Sequence, residues 1–114
     1  MSKFNSLKKN KEFKIVYNEK NSISDENFIL YIKKRDNLEK NRIGISISKK
    51  VGNSVIRHKS IRRIREIFRL NDRKLKKSYD IVVVCKKKVR ETTYEELKKS
   101  FLNLCKIKEI LMEQ

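Results

Sequence analysis

The sequence predicts a small α/β or α+β sandwich in which amphipathic helices cover a mixed sheet. Two strand signals carry this: period-2 alternation in Arg42-Ile43-Gly44-Ile45-Ser46-Ile47-Ser48 and a continuous apolar run, Ile81-Val82-Val83-Val84. The third observation is that apolar residues recur at helical spacing in three other segments, giving the order α-β-β-α-β-α. The 114 residues contain no Pro and only Gly44 and Gly52, with no internal repeat and no composition break. Residues 1–114 are therefore expected to form one domain.

Each element has its own warrant. Phe13, Val16 and Tyr17 fall at i, i+3, i+4 behind Asn10, so a short helix is expected over residues 10–18 with Asn10 as its cap. Residues 27–34 are aromatic and β-branched and predict a strand; residues 42–48 predict a second, half-buried one. The polar segment Arg35 to Asn41 suggests a turn that pairs these two strands antiparallel. Gly52-Asn53-Ser54 supplies a turn and a cap for a longer helix reaching about Leu70. Ile81 to Cys85 forms the next strand. Thr93-Tyr94-Glu95-Glu96 has the form of a capping box, and Leu97, Phe101, Leu104 and Cys105 share one face, so the last helix is expected over residues 94–111.

The charge balance narrows the function. Lys and Arg number 31 against 14 Asp and Glu, a net charge of +17. Such an excess draws in polyanions, because phosphates neutralised by Lys or Arg release their counterions. Between Lys49 and Lys77 there are twelve Lys or Arg and only Glu66 and Asp72 in opposition, so +10 of the charge lies in 29 residues. At 100° per residue Ile61, Ile64, Ile67 and Phe68 form an apolar stripe, while His58, Arg62, Arg65 and Arg69 stack on a neighbouring face. Cations at i, i+4 repel by a few tenths of a kcal/mol per pair unless an anion is bound. Arginine adds a planar fork suited to phosphate oxygens. A nucleic-acid-binding domain is the expected class.

Other chemistries lack their residues. No P-loop, dinucleotide fingerprint or Ser-His-Asp pattern occurs, and His58, the sole histidine, has no adjacent carboxylate to orient it. The acids Glu95 and Glu96 have a sufficient role at a helix start. Cys85 and Cys105 sit in apolar surroundings and are expected to be buried, reduced thiols rather than zinc ligands. No apolar stretch is long enough for a membrane span, and the start lacks a signal-peptide core, so a cytoplasmic protein is expected. Catalytic and metal-binding residues are therefore expected to be absent from the chain.

The segment Lys49-Lys50-Val51-Gly52-Asn53-Ser54-Val55-Ile56-Arg57-His58-Lys59-Ser60-Ile61-Arg62-Arg63-Ile64-Arg65-Glu66 closely resembles the signature of the bacterial ribonuclease P protein subunit, roughly K-K-x-G-N-A-V-x-R-N-R-x-K-R-x-x-R-E. Similarity continues at Leu7 to Phe13, Val16-Tyr17, Phe28 to Tyr31 and Asp80 to Val84. The resemblance implies a four-stranded sheet with a left-handed β-α-β crossover, like one domain of a small-subunit ribosomal protein. It implies that the chain joins a larger catalytic RNA, the ribonuclease P RNA subunit, and assists removal of the 5′ leader from precursor tRNA. The RNA is implied to hold the active-site Mg2+ and to perform the cleavage. Carried over residue by residue, the RNA-subunit contacts fall on Lys49, Lys50, Gly52, Asn53, Arg57, Lys59, Arg62 and Arg65, and the leader contacts on Phe13, Tyr17 and Tyr31. His58, Lys59, Ser54 and Ile61 stand where the family pattern has Asn, Arg, Ala and Lys. The alternatives are a ribosomal-protein-like rRNA binder, a DNA binder with the Arg ridge in the major groove, and a basic helix lying on an anionic membrane.

Overall fold

In a computed structural model, which describes residues 5–36 and 40–112, the order of elements is β1 (Asn5–Ser6), α1 (Asn10–Asn18), β2 (Ser22–Ser24), β3 (Phe28–Lys34), β4 (Arg42–Ser46), α2 (Ser54–Asn71), β5 (Tyr79–Cys85) and α3 (Tyr94–Ile107). Short 3-10 turns at Asp72–Lys74 and Lys87–Glu91 flank β5. The strands form one mixed sheet in the order β1-β4-β5-β3-β2. β5 runs parallel to β4 and antiparallel to β3, and the two-residue β1 extends the edge beyond β4.

The predicted antiparallel pairing of β3 with β4 does not occur. β5 inserts between them, with Ile43 opposite Ile81 on one side and Ile32 opposite Ile81 on the other. The physical reason is burial. Ile81, Val82 and Val83 are each 0% exposed, so the apolar run needs cover on both faces and both edges, which only a central position provides. Two strands lie outside the order expected from spacing: the two-residue β1, and β2 just before β3, where Ser22–Ser24 pairs antiparallel with Ile29 to Tyr31.

Alternation along the strands divides the core in two. Phe28, Leu30, Ile32, Ile43, Ile81 and Val83 face α2 and α3, meeting Ile64, Ile67, Phe68, Leu97, Phe101 and Leu104. On the opposite face Val82 packs with Leu7 and Val16 beneath α1, with Phe13, Tyr17, Tyr31 and Val84 around them. Cys85 and Cys105 are free and buried, and burial pushes both thiols up to about 12.

Two helix ends differ from expectation. Lys9, not Asn10, is the N-cap of α1, because Glu12 turns back to accept the N–H groups of Lys8 and Lys9 at 2.9 and 3.0 Å. α3 stops at Ile107 rather than 111. Glu109 adopts a left-handed φ of 61°, Ile110 N–H donates to the Cys105 carbonyl and Glu109 N–H to that of Lys106, closing a Schellman motif. The turn sends Ile110 into the core and lets Leu111 bridge Leu75.

Candidate nucleic-acid interface

The approach to α2 is a tight basic turn. Val51 N–H donates to the Ser48 carbonyl and Gly52 N–H to that of Lys49, while the buried Val51 side chain anchors the turn and leaves Lys49 and Lys50 exposed. Gly52 has a steric role. A Cβ there would stand 2.8 Å from Cγ2 of Ile56, in the first turn of α2. Asn53 caps the helix, its Oδ1 accepting Ile56 N–H at 3.0 Å. No acidic residue occupies that first turn.

α2 is fixed from beneath and basic above. Ser60, Ile64, Ile67, Phe68 and Asn71 are its buried residues, with Ser60 Oγ donating to the Ile56 carbonyl and Asn71 Nδ2 to that of Ile67. His58, Lys59, Arg62, Arg65 and Arg69 are exposed. His58, Arg62, Arg65 and Arg69 fall within about 60° of arc on the outward side. Arg69 differs from the other arginines because its guanidinium grips Glu66 at 3.1 and 2.9 Å, and that hydrogen-bonded contact holds the Glu66 carboxyl below its ordinary value. Lys49, Lys50, Lys59, Arg62 and Arg65 have no acidic partner among the described residues. Arg57 is half-buried and donates to the Gly52 carbonyl at 3.3 Å, which ties it to the turn. Ile61, expected in the apolar stripe, is half-exposed at its margin.

The opposite face of the sheet carries the aromatic residues. Tyr17 and Tyr31 meet edge to face with centroids 4.8 Å apart, and Phe13 lies 6.4 Å from Tyr17. Phe13 can approach β4 closely because Gly44 has no side chain: a Cβ there would stand 2.6 and 2.9 Å from the end of the Phe13 ring. Beside these rings the register places Ser24, Ile29, Val84 and Ser46 in one row across β2, β3, β5 and β4. Ile29, Val84 and Ser46 are half-buried and Ser24 is exposed. The three rings and this row share the face of the sheet on which α1 packs. The row was not anticipated, although alternation along β3 and β5 would have placed it.

Near the start of α1 lies an ion-pair network that sequence reasoning missed. The buried Asp80 accepts from Arg35 Nη1 and from Arg42 Nε and Nη2, all at 2.8 Å, and Arg42 also reaches Glu12 at 3.5 Å. Burial pushes the Asp80 carboxyl up, while Arg42 pulls it back. These partners stand 30 to 45 positions apart in sequence, beyond the range of local patterning.

A concavity of about 990 Å3 lies elsewhere, among Asp25, Asn27, Glu91, Glu96 and Lys99; its carboxylates make it a poor place for an RNA backbone. Among the described residues no three His, Cys, Asp or Glu side chains group to hold a metal ion, and two guanidiniums already claim Asp80. Among the same residues no helix is long and apolar enough to cross a membrane.

The family model for Ribonuclease P matches residues 1–109. The chain belongs to the ribonuclease P protein family. The ribonuclease P protein component of Alkaliphilus metalliredigens is 44% identical over 104 residues, covering 91% of this chain and 93% of that one. That of Bacillus pumilus is 38% identical over 114 residues, covering 100% and 96%. Among solved structures, the ribonuclease P protein of Staphylococcus aureus superposes with a TM-score of 0.86 at 30% identity, covering 96% of this chain and all of that one. The Thermotoga maritima ribonuclease P protein gives 0.81 at 30% identity, covering 96% and 98%.

Proposed function

We propose that this ribonuclease P family protein is the RNA-binding subunit of a bacterial ribonuclease P, acting in the cytoplasm on precursor tRNA. The catalytic RNA docks on the basic turn and the outward face of α2, through Lys49, Lys50, Lys59, Arg62 and Arg65. Gly52, Asn53 and Arg57 shape the turn that presents them. The 5′ leader lies on the sheet face of Phe13, Tyr17 and Tyr31. The chain contributes no catalytic group; it positions the substrate while the RNA, with its Mg2+, cleaves the phosphodiester.

The observation that carries this proposal is the set of cations on α2 without acidic partners among the described residues. They are held outward on a helix whose opposite side is sealed into the core. Guanidiniums so placed favour backbone and shape over base sequence. On the sheet face, aromatic rings stack on any base at about 1–3 kcal/mol each, which suits leaders of varied sequence.

The test is reconstitution. The purified chain, added to a bacterial ribonuclease P RNA at low magnesium, should accelerate 5′ cleavage of precursor tRNA. Absence of acceleration, together with tight binding to rRNA fragments, would favour a ribosomal role. Phe13→Ala with Tyr17→Ala should weaken precursor binding and spare mature tRNA, whereas equal losses for both ligands would make the rings ordinary core.

A further inference from the structure

Beside the α2 ridge, where α2 meets the start of α3, Lys59, Arg62, Arg63, Glu66 and Tyr94 enclose a solvent-open concavity of about 360 Å3. We propose that this seam is a binding site for one unstacked RNA nucleotide, whose base stacks on Tyr94 while its phosphates meet Lys59, Arg62 and Arg63. The proposal rests on the RNA-binding role given above to α2 and adds a residue from a different helix to that surface.

Position comes first. Tyr94 is the first residue of α3, directly after the Thr93 cap, whose Oγ1 accepts Glu96 N–H at 3.2 Å while Glu96 closes the capping box. Its backbone is therefore set by the cap, and its half-buried ring rests against the main core. A ring held in this way loses little freedom when a base stacks on it, so little of the stacking energy is spent on ordering.

Charge selects the ligand. Lys59, Arg62, Arg63 and Glu66 fall at i, i+3, i+4 and i+7, on the flank of α2 that faces α3. Glu66 is already satisfied by the two-pronged contact from Arg69. Lys59, Arg62 and Arg63 have no acidic partner among the described residues. An aromatic ring that lines the same concavity as three cations suits a ligand that is planar and anionic together. An isolated phosphate would leave the ring unused, and a base-paired helix offers phosphates without a free base face. An unpaired nucleotide satisfies both demands, and the cavity lies within the size range of small-ligand sites.

The experiment uses the full chain, a bacterial ribonuclease P RNA, and binding measured across a salt series. Tyr94→Phe keeps the ring and should bind within about twofold of the unaltered protein. Tyr94→Leu should bind about 5- to 150-fold more weakly, the span to which ~1–3 kcal/mol of stacking converts. Its salt slope should be unchanged, because every phosphate keeps its cation. Tyr94→Trp supplies the only tryptophan in the chain, and its fluorescence should be quenched on adding RNA. Arg65→Ala, outside the seam, should instead flatten the slope. If Arg65→Ala behaves so while Tyr94→Leu binds normally, the nucleotide site is refuted and the ridge stands. If Arg65→Ala changes neither affinity nor slope, the ridge itself fails. A loss with Tyr94→Phe as large as with Tyr94→Leu would also refute stacking, as would an unquenched Tyr94→Trp. Should the leucine variant not fold, the phenylalanine and tryptophan variants decide.

Discussion

Replacing Gly44 by alanine tests how the aromatic face is built. The new Cβ would stand 2.6 Å from Cζ and 2.9 Å from Cε2 of Phe13, and 3.1 Å from Cβ of Leu7. Leu7 is 5% exposed and lies beside the two-residue β1, with its N–H bound to the Ile43 carbonyl at 2.8 Å. It has little room to retreat, so the Phe13 ring must move by roughly half an ångström or more, taking α1 with it. Overpacking of this kind costs about 1–3 kcal/mol. With an unfolding entropy near 2.1 cal/mol/K per residue, that lowers Tm by about 4–12 °C for this chain. Phe13→Leu removes the colliding ring end, so the double variant should be less destabilised than the sum of the two single variants by about 1 kcal/mol. Thermal unfolding followed by circular dichroism measures all four corners of the cycle. A Gly44→Ala variant within 0.5 kcal/mol of the parent, or strict additivity with Phe13→Leu, would show that Phe13 does not rest on Gly44.

Two further outcomes follow from the ion-pair network under α1. Asp80→Asn leaves Arg35 and Arg42 without their shared carboxylate and should cost about 2–3 kcal/mol in denaturant unfolding; this is less than for a sealed pair, because the side chains of Arg35 and Arg42 remain 34% and 22% exposed. Hydrogen bonds from the Lys9 and Lys8 backbone N–H groups hold the Glu12 carboxyl below its ordinary 4.5. A depressed folded-state value contributes stability above pH 4.5 that is lost as pH falls through the lower folded value. Glu12→Gln should therefore lose part of the acid limb of a stability-against-pH profile, and an unchanged limb would refute that role.

Much of the fold was legible because local patterning was strong. The α1 range, the Asn53 and Thr93 caps and the β4 and β5 segments follow from spacing and capping chemistry. The pairing of β3 with β4 was misjudged because a polar seven-residue connection, Arg35 to Asn41, looks like a hairpin loop; the stronger signal was the uninterrupted Ile81 to Val84, whose burial demands the centre of the sheet. β2 escaped notice because three residues with one isoleucine show no periodicity. The end of α3 escaped because its left-handed residue is Glu109 rather than glycine or asparagine.

Within the candidate interface, the exposed face of α2 was visible from 100° spacing alone. The removal of Arg69 from the set of unpaired cations was also readable, since Glu66 stands three residues before it. The Asp80 network and the Tyr94 seam were not readable, because each joins elements distant in sequence. Gly44 was read as one small residue in a strand, and only the placement of α1 reveals it as the seat for Phe13.

The most direct test of α2 as an RNA-docking surface is the salt dependence of binding to a ribonuclease P RNA for the parent chain and for Arg62→Ala with Arg65→Ala. Weaker binding is expected, with a plot of log affinity against log salt that is shallower by about 0.7–0.9 for each phosphate left without its cation. An equally steep plot with unchanged affinity would contradict this, because the outward cations of α2 would then meet no RNA phosphate.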